Sequence, residues 1–155
     1  MSLSGSNVAG ALLFLLSVLA GSITQWWLFR RIERRRERQQ REDRVAAYDA
    51  FANGLSYYRR AECDYVRRRL EAPGSPTTLE SHAQSFRVRS TAAYDLLRVQ
   101  LAARDPQIVE LAERAFAITE QVHDAETAEQ ADRDANRAEQ ALAQFVTATG
   151  ATVYS

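Results

Sequence analysis

Few side chains in this chain are suited to catalysis or metal binding: two histidines, His82 and His123, and one cysteine, Cys63. Glu120 and His123 have the Glu-x-x-His spacing of helical bundles that hold two iron ions. Such a site needs a second pair, but Leu79 stands where His82 would require a glutamate. We therefore expect no metal and no cofactor.

Cys63 lies beside Arg59 and Arg60, and a neighbouring guanidinium can lower the pKa of a thiol. No histidine stands near it in the sequence to act as a base, so a small, partly buried residue is the expected role. The chain also lacks a phosphate-binding loop, a dinucleotide fingerprint, a zinc-protease motif and a nucleophile elbow. We predict that the protein is not an enzyme and has no small-molecule substrate.

Charge is balanced over the 155 residues, with 20 basic and 20 acidic side chains, but it is unevenly distributed. Residues 30–72 hold thirteen Arg against eight acidic residues, a net charge of +5. Residues 105–155 hold three Arg against ten acidic residues, a net charge of −7. We expect these two parts to pair, and the overall balance gives no reason to expect nucleic-acid binding.

The first 29 residues carry no charged side chain, and residues 8–29 are mostly apolar. As a helix this segment would be about 33 Å long, close to the thickness of a bilayer's hydrocarbon core. Trp26 and Trp27 stand where interfacial aromatic anchors occur, and Ser17 and Gly21 form a small-xxx-small pair that favours helix self-association. The segment predicts a transmembrane helix after a short extracytoplasmic tail, residues 1–7. A cleaved signal peptide is the alternative, although its positive charges would have to precede the apolar run.

Residues 30–44 contain eight Arg and four acidic residues, which predicts a charged juxtamembrane helix. By the positive-inside rule, the N-terminus lies outside and the rest of the chain in the cytoplasm, anchored in the inner membrane. Basic residues at this place also predict contact with anionic lipid headgroups. The arginines expected to do this are Arg30, Arg31, Arg34, Arg35, Arg36 and Arg38.

The remainder, residues 45–150, predicts an all-α fold in which the anchor continues into a long helix, about residues 30–72, packed with two further antiparallel helices. The breaker run at residues 72–76 ends the first, and a middle helix follows at about 78–103 with Thr77 as its N-cap. Asp105 and Pro106 start a third, about 106–149. The apolar face expected in the core of the middle helix has seven members: Leu79, Ala83, Phe86, Ser90, Ala93, Leu97 and Leu101.

The third helix is much longer than the middle one, roughly 66 Å against 39 Å. Its apolar stripe slips by three residues near 125–131, which indicates local overwinding or a bend. Its end must overhang, bend back or pair with another chain. We therefore expect a homo-oligomer or a protein partner, and we expect both Leu55→Asp and Phe86→Asp to unfold the three-helix, coiled-coil-like bundle.

The chain resembles a loose group of small, single-pass bacterial membrane proteins of actinobacterial type. The resemblance covers most of residues 10–120, although its motifs are mostly general features of helices. It implies an N-terminal anchor with a cytoplasmic helical bundle, and it carries no catalytic residues to transfer. The residues that carry it are Gly21 with Trp26-Trp27, the Arg/Glu run 30–44, the phrase RVAAYDAF at 44–51 and LRVQLAARDPQIVELA at 97–112.

Together these features predict a membrane-anchored, non-enzymatic interaction or scaffold module, or an accessory subunit. A stalk-like protein, or an oligomeric pore-forming effector, is the alternative. The helix break at residues 72–76 argues against the stalk, and the lack of an inward-facing polar stripe in the anchor argues against a pore.

Overall fold

The structure is a computed structural model that describes the backbone of residues 5–154 and the side chains of residues 36–152. Its elements are α1 (Gly5–Glu71), α2 (Pro76–Ala102), α3 (Pro106–Glu120), a 3-10 helix (Gln121–Asp124) and α4 (Ala128–Tyr154). No strand occurs among the described residues, so the predicted all-helical fold is confirmed. The chain divides into two compact units, residues 1–40 and 41–155, and the helical bundle is the second unit.

Along the part of the chain that the structure describes, no helix is both long enough and apolar enough to cross a membrane. This finding contradicts the predicted localisation, a single-pass inner-membrane protein with its N-terminus outside and its bundle in the cytoplasm. Over residues 36–152, whose side chains the structure describes, every helix carries charged side chains and has both buried and exposed positions. The side chains of residues 8–29, on which the anchor was predicted, lie outside the described residues.

Within the second unit the helices alternate in direction. The Glu62 side chain of α1 meets Ser85 of α2, and Thr78 of α2 donates a hydrogen bond to the carbonyl of Arg68, so these two helices are antiparallel. α3 runs parallel to α1, because Tyr58 packs near Phe116 and Tyr65 stacks on His123. α4 runs antiparallel to α1, with three contacts that fix its register: Phe51 with Phe145, Arg59 with Glu139, and Val66 with Ala131.

The bundle therefore has four helices rather than the predicted three. The predicted third helix breaks at the 3-10 helix and returns as α4, so it has no overhanging end. Thr127 caps α4 by accepting a hydrogen bond from the backbone N–H of Gln130, and the Gln130 side chain accepts one from the N–H of Glu126. This reciprocal pattern resembles a capping box, whose Thr-x-x-Gln spacing is visible in the sequence at residues 127–130. The helix then continues past Gly150, the predicted end, to Tyr154.

Short connections with capping residues join the other helices. α2 begins two residues earlier than expected. Ser75, rather than Thr77, is its N-cap and accepts a hydrogen bond from the N–H of Thr78, and Pro76 occupies the first helical turn. Proline is well suited to that position because its missing N–H would have no partner there. Gly74, with φ of +74°, makes the preceding reversal in the left-handed region. Asp105 caps α3 as predicted.

Arg69 holds the break between α3 and α4 against the end of α1. Its guanidinium donates hydrogen bonds to the backbone carbonyls of His123 and Ala125. These carbonyls lie where the helical hydrogen-bond ladder stops, so the arginine supplies partners that the break would otherwise remove.

We expect Arg69→Ala to lower the free energy of unfolding by about 2–3 kcal/mol, because two charge-assisted hydrogen bonds to helix-end carbonyls are lost. Arg68→Ala is the matched control. Arg68 forms an exposed i,i+4 pair with Asp64, a kind of contact worth about 0–1 kcal/mol. Urea unfolding followed by circular dichroism compares the two, and equal losses would show that Arg69 does not hold the break.

Candidate functional site

Two features of the bundle are candidates for function: a polar cluster at an opening between its helices and an apolar face on its outer surface. The polar cluster, here called the polar junction, lies where α1, α2 and the end of α3 meet. It lines a cavity of about 270 Å³, which is just below the size range for ligand pockets. Its members are Tyr58, Glu62, His82, Ser85, Arg89, Glu120 and His123, and Phe86 and Asp124 complete the lining of the cavity.

Glu62 is the centre of the polar junction, and only 2% of its surface is exposed. The Ser85 hydroxyl donates a hydrogen bond to one carboxylate oxygen, and His123 Nδ1 lies 3.0 Å from the other. Three helical segments thus meet on one carboxylate. These contacts give the buried carboxylate hydrogen-bond partners, without which its burial would cost free energy.

Tyr58 stands beside this carboxylate. Burial raises the pKa of its phenol well above the ordinary value, and the nearby Glu62 and Glu120 carboxylates raise it further. Arg89 pairs with Glu120 across α2 and α3, and that hydrogen bond is the main reason why the pKa of Arg89 is raised. The phenol and the guanidinium therefore stay protonated and act as hydrogen-bond donors in the junction.

The two histidines come together around Tyr65. The rings of Tyr65 and His123 are stacked at 5.2 Å between centroids, and the ring of His82 lies 4.8 Å from that of Tyr65. Sequence spacing could not predict this meeting, because the residues are brought together from α1, α2 and the 3-10 helix. Among the residues that the structure describes, no group of three or more His, Cys, Asp or Glu side chains is placed to hold a metal ion.

The order of contacts in the polar junction is not that of a nucleophile with its base. The Ser85 hydroxyl donates to Glu62, and His123 contacts the other side of the same carboxylate. An activated serine needs the imidazole as its immediate neighbour, with the acid behind it. Ser85, Glu62 and His123 are therefore arranged to tie helices together.

We expect Glu62→Gln to lower the free energy of unfolding by about 1–3 kcal/mol, because the amide turns a donor towards groups that already donate to the carboxylate. Glu113→Gln is the control, since Glu113 accepts an exposed hydrogen bond from Gln100 and should change stability by less than about 0.5 kcal/mol. Thermal unfolding followed by circular dichroism measures both. A Glu62→Gln variant as stable as the wild type would show that the junction is not a structural tie.

Cys63 is half-buried in the same helix, and burial raises the pKa of its thiol despite the nearby Arg59 guanidinium. Arg59 does lower the pKa, but desolvation of the thiolate is the larger effect. The half-buried position agrees with the expected small, partly buried residue. Such a thiol is mostly protonated at neutral pH.

The second candidate is the apolar face that was expected to form the core of α2, and that expectation is wrong. Leu79, Phe86, Leu97 and Leu101 are 63%, 61%, 56% and 89% exposed. The face, here called the outer stripe, runs along the solvent side of α2. Its members are Leu79, Ala83, Phe86, Ser90, Ala93, Leu97 and Leu101, of which Ala93 is half-buried.

Small side chains on the opposite face of α2 explain why the outer stripe is outside. Ser81, Ser85 and Ala92 are buried there, with Val99 at the end of the row. This face allows α2 to pack closely on α1: a Cβ added at Gly54 would lie 3.7 Å from the Cα of Ala92. α2 therefore packs its small and hydrogen-bonded side chains closely against α1, and its leucines stay exposed.

Most of the site residues predicted near the N-terminus lie outside the side chains that the structure describes. Arg36 and Arg38 are described, and both are exposed. The others are Trp26, Trp27, Ser17, Gly21, Arg30, Arg31, Arg34 and Arg35, whose predicted roles stay predictions.

Residues 45–153 match the profile of a protein family described as KilB plasmid transfer protein. The match covers all four helical segments of the bundle. No curated protein matches the chain, and no solved structure matches it. The predicted resemblance to small anchored membrane proteins of actinobacterial type gains no support from these comparisons.

Proposed function

Since the chain belongs to the KilB plasmid transfer protein family, we propose that it serves plasmid transfer as a non-enzymatic accessory protein that works by contact with another protein. The outer stripe is the observation that carries this proposal. It places four large apolar side chains on one exposed helix face, three of them leucines. Contiguous apolar surface of this kind is typical of a protein interaction site.

The polar junction supports the same proposal through its contacts between helices. Its buried carboxylate is occupied by Ser85 and His123, and Arg89 is occupied by Glu120. These side chains hold α2 against α1 and α3, so that the outer stripe is presented on a fixed helix. A rigid presenting surface lowers the entropy lost when a partner binds.

The stalk-like alternative is less well supported, because α1 is followed by a reversal and α2 packs back along it. The membrane-perturbing alternative has no support in the residues that the structure describes. Binding to another protein requires neither a continuous stalk helix nor insertion into a membrane.

The experiment compares plasmid transfer by cells that carry the wild-type protein with transfer by cells that carry Phe86→Gln with Leu97→Gln. We expect transfer to fall while the protein accumulates normally, because both side chains are more than half exposed. The control is Gln84→Ala with Thr91→Ala, two exposed changes on α2 beside the outer stripe. Transfer at the wild-type level with the stripe variant would contradict the proposal.

A third variant tests the catalytic alternative. Glu62→Gln, assayed at a temperature where it is folded, changes the polar junction and leaves the outer stripe intact. We expect it to support transfer. Loss of transfer with this folded variant alone would instead point to chemistry at the junction.

A further inference from the structure

We propose that the partner bound by the outer stripe is a second copy of this chain, with the two α2 helices packed antiparallel about a two-fold axis at Ser90. This inference rests on the proposed function, because it names the occupant of the same surface. The stripe recurs at alternating spacings of four and three from Leu79 to Leu97, the spacing of a coiled-coil seam. It spans residues 79–101, about three heptads.

The sizes of the side chains are complementary to themselves in this orientation. When two antiparallel copies cross at Ser90, a residue of one copy faces the residue of the other copy for which the two residue numbers add up to 180. Leu79 then faces Leu101, and Ala83 faces Leu97 of the other copy. In the centre Phe86 faces the exposed ring of Tyr94, and the two small Ser90 side chains face each other, which allows close approach.

A parallel pairing lacks this fit. Each residue would then face its own copy, so Phe86 would meet Phe86 and Ala83 would meet Ala83. Large side chains would crowd at one level and leave space at the next, which costs packing energy. The sequence of the stripe therefore favours the isologous, antiparallel arrangement.

Charges beside the stripe favour the same orientation. Glu80 and Arg98 lie on the same flank of α2, and antiparallel packing brings Glu80 of one copy within two positions of Arg98 of the other. Arg98 also pairs with Asp95 of its own chain. On this flank Arg87 also meets the exposed ring of Tyr94, an arrangement suited to a cation–π contact. On the other flank the two Arg89 side chains approach, but each is already paired with Glu120 of its own chain.

The area of the stripe agrees with an interface rather than with scattered apolar residues. Burying one leucine or phenylalanine removes roughly 60–120 Å² from water at about 25 cal/mol per Å². Five exposed side chains contribute on each copy: Leu79, Phe86, Tyr94, Leu97 and Leu101. Together they supply several hundred Å² of apolar surface, the central part of a specific interface of about 800 Å² per partner.

Cysteine cross-linking of the full-length chain tests the orientation. Two differently tagged copies are co-expressed in a Cys63→Ser background, which removes the one native cysteine. One copy carries Leu79→Cys and the other carries Leu101→Cys, and the cells are treated with a mild oxidant. A disulfide needs Cα atoms within about 7 Å, so only facing positions form one.

We expect a cross-linked heterodimer from the Leu79→Cys and Leu101→Cys pair, and a cross-linked homodimer from Ser90→Cys alone. Leu79→Cys alone and Gln84→Cys alone should give only background, since neither faces its own copy. The Ser90→Cys cross-link should be lost when Phe86→Gln and Leu97→Gln are added. Cross-linking of Leu79→Cys with itself would overturn the antiparallel arrangement.

The result also separates this inference from the proposed function. If no stripe cysteine cross-links but Phe86→Gln with Leu97→Gln still abolishes transfer, a different protein occupies the stripe and the self-pairing is wrong. If the stripe variant transfers plasmid normally, the proposed function itself fails.

Discussion

Leu55→Asp is expected to unfold the bundle, with a loss of more than about 4 kcal/mol in the free energy of unfolding. Leu55 is 1% exposed and packs in the main core among residues of all four helices. Arg59, one turn further along α1, is already paired with Glu139, and the energy needed to bury an unpaired aspartate is comparable to the whole stability of a small domain. Far-UV circular dichroism of the purified chain should show the loss of helix.

Phe86→Asp is the matched control, and here the structure reverses what the sequence predicts. The Phe86 side chain is 61% exposed, so a carboxylate at this position stays in water and should change bundle stability by less than about 1 kcal/mol. The two variants introduce the same group on two faces that look alike in the sequence. If both unfold the protein, α2 is turned the other way and the outer stripe is its core.

The orientation of α2 is the part of the fold that periodicity could not provide. A repeat of three and four identifies an amphipathic helix, and the larger apolar residues are ordinarily assigned to the core. In α2 the buried face consists of Ser81, Ser85, Ala92 and Val99, and its energy comes from close approach and hydrogen bonds to α1. Asp95 is also buried on this face. A prediction from sequence would place it on the exposed face, because aspartate is rarely buried unless it is paired.

Other elements were predictable because local signals decide them. The reversal at residues 72–76 and the cap at Asp105 depend on proline, glycine and capping side chains that act within a few residues. The break after α3 was partly visible as a slip in the apolar stripe. The position of the break is fixed by the capping pair Thr127 and Gln130 and by Arg69 of α1. The hydrogen bond from Arg69 to the carbonyl of His123 joins residues more than fifty positions apart in the sequence.

The polar junction could not be predicted, because its members come from distant points of the chain. Glu62 and His123 are separated by 61 positions, and each looks like a surface residue when taken alone. Only the antiparallel register of α1 with α2, and the parallel register of α1 with α3, places them together. A buried glutamate is recognisable only after its donors are known.

Phe145→Ala is expected to lower the free energy of unfolding by about 3–5 kcal/mol, because a fully buried ring leaves a cavity. Its ring meets Tyr48 and Phe51 edge-on, at 5.9 and 5.1 Å between centroids. These contacts join α4 to α1. Val146→Ala is the control, since Val146 is the next residue but 48% exposed, and it should cost less than about 0.5 kcal/mol.

The measurement is urea unfolding together with hydrogen exchange of the α4 amides. We expect Phe145→Ala to increase exchange along α4 more than along α2, because the ring contacts with Tyr48 and Phe51 that are lost hold the returning helix against α1. The outer stripe lies on α2, so this variant should weaken the bundle while the stripe keeps its place on the helix. Uniformly faster exchange in all four helices would mean that α4 is an inseparable part of one cooperative core, and that stability and presentation of the stripe cannot be changed independently.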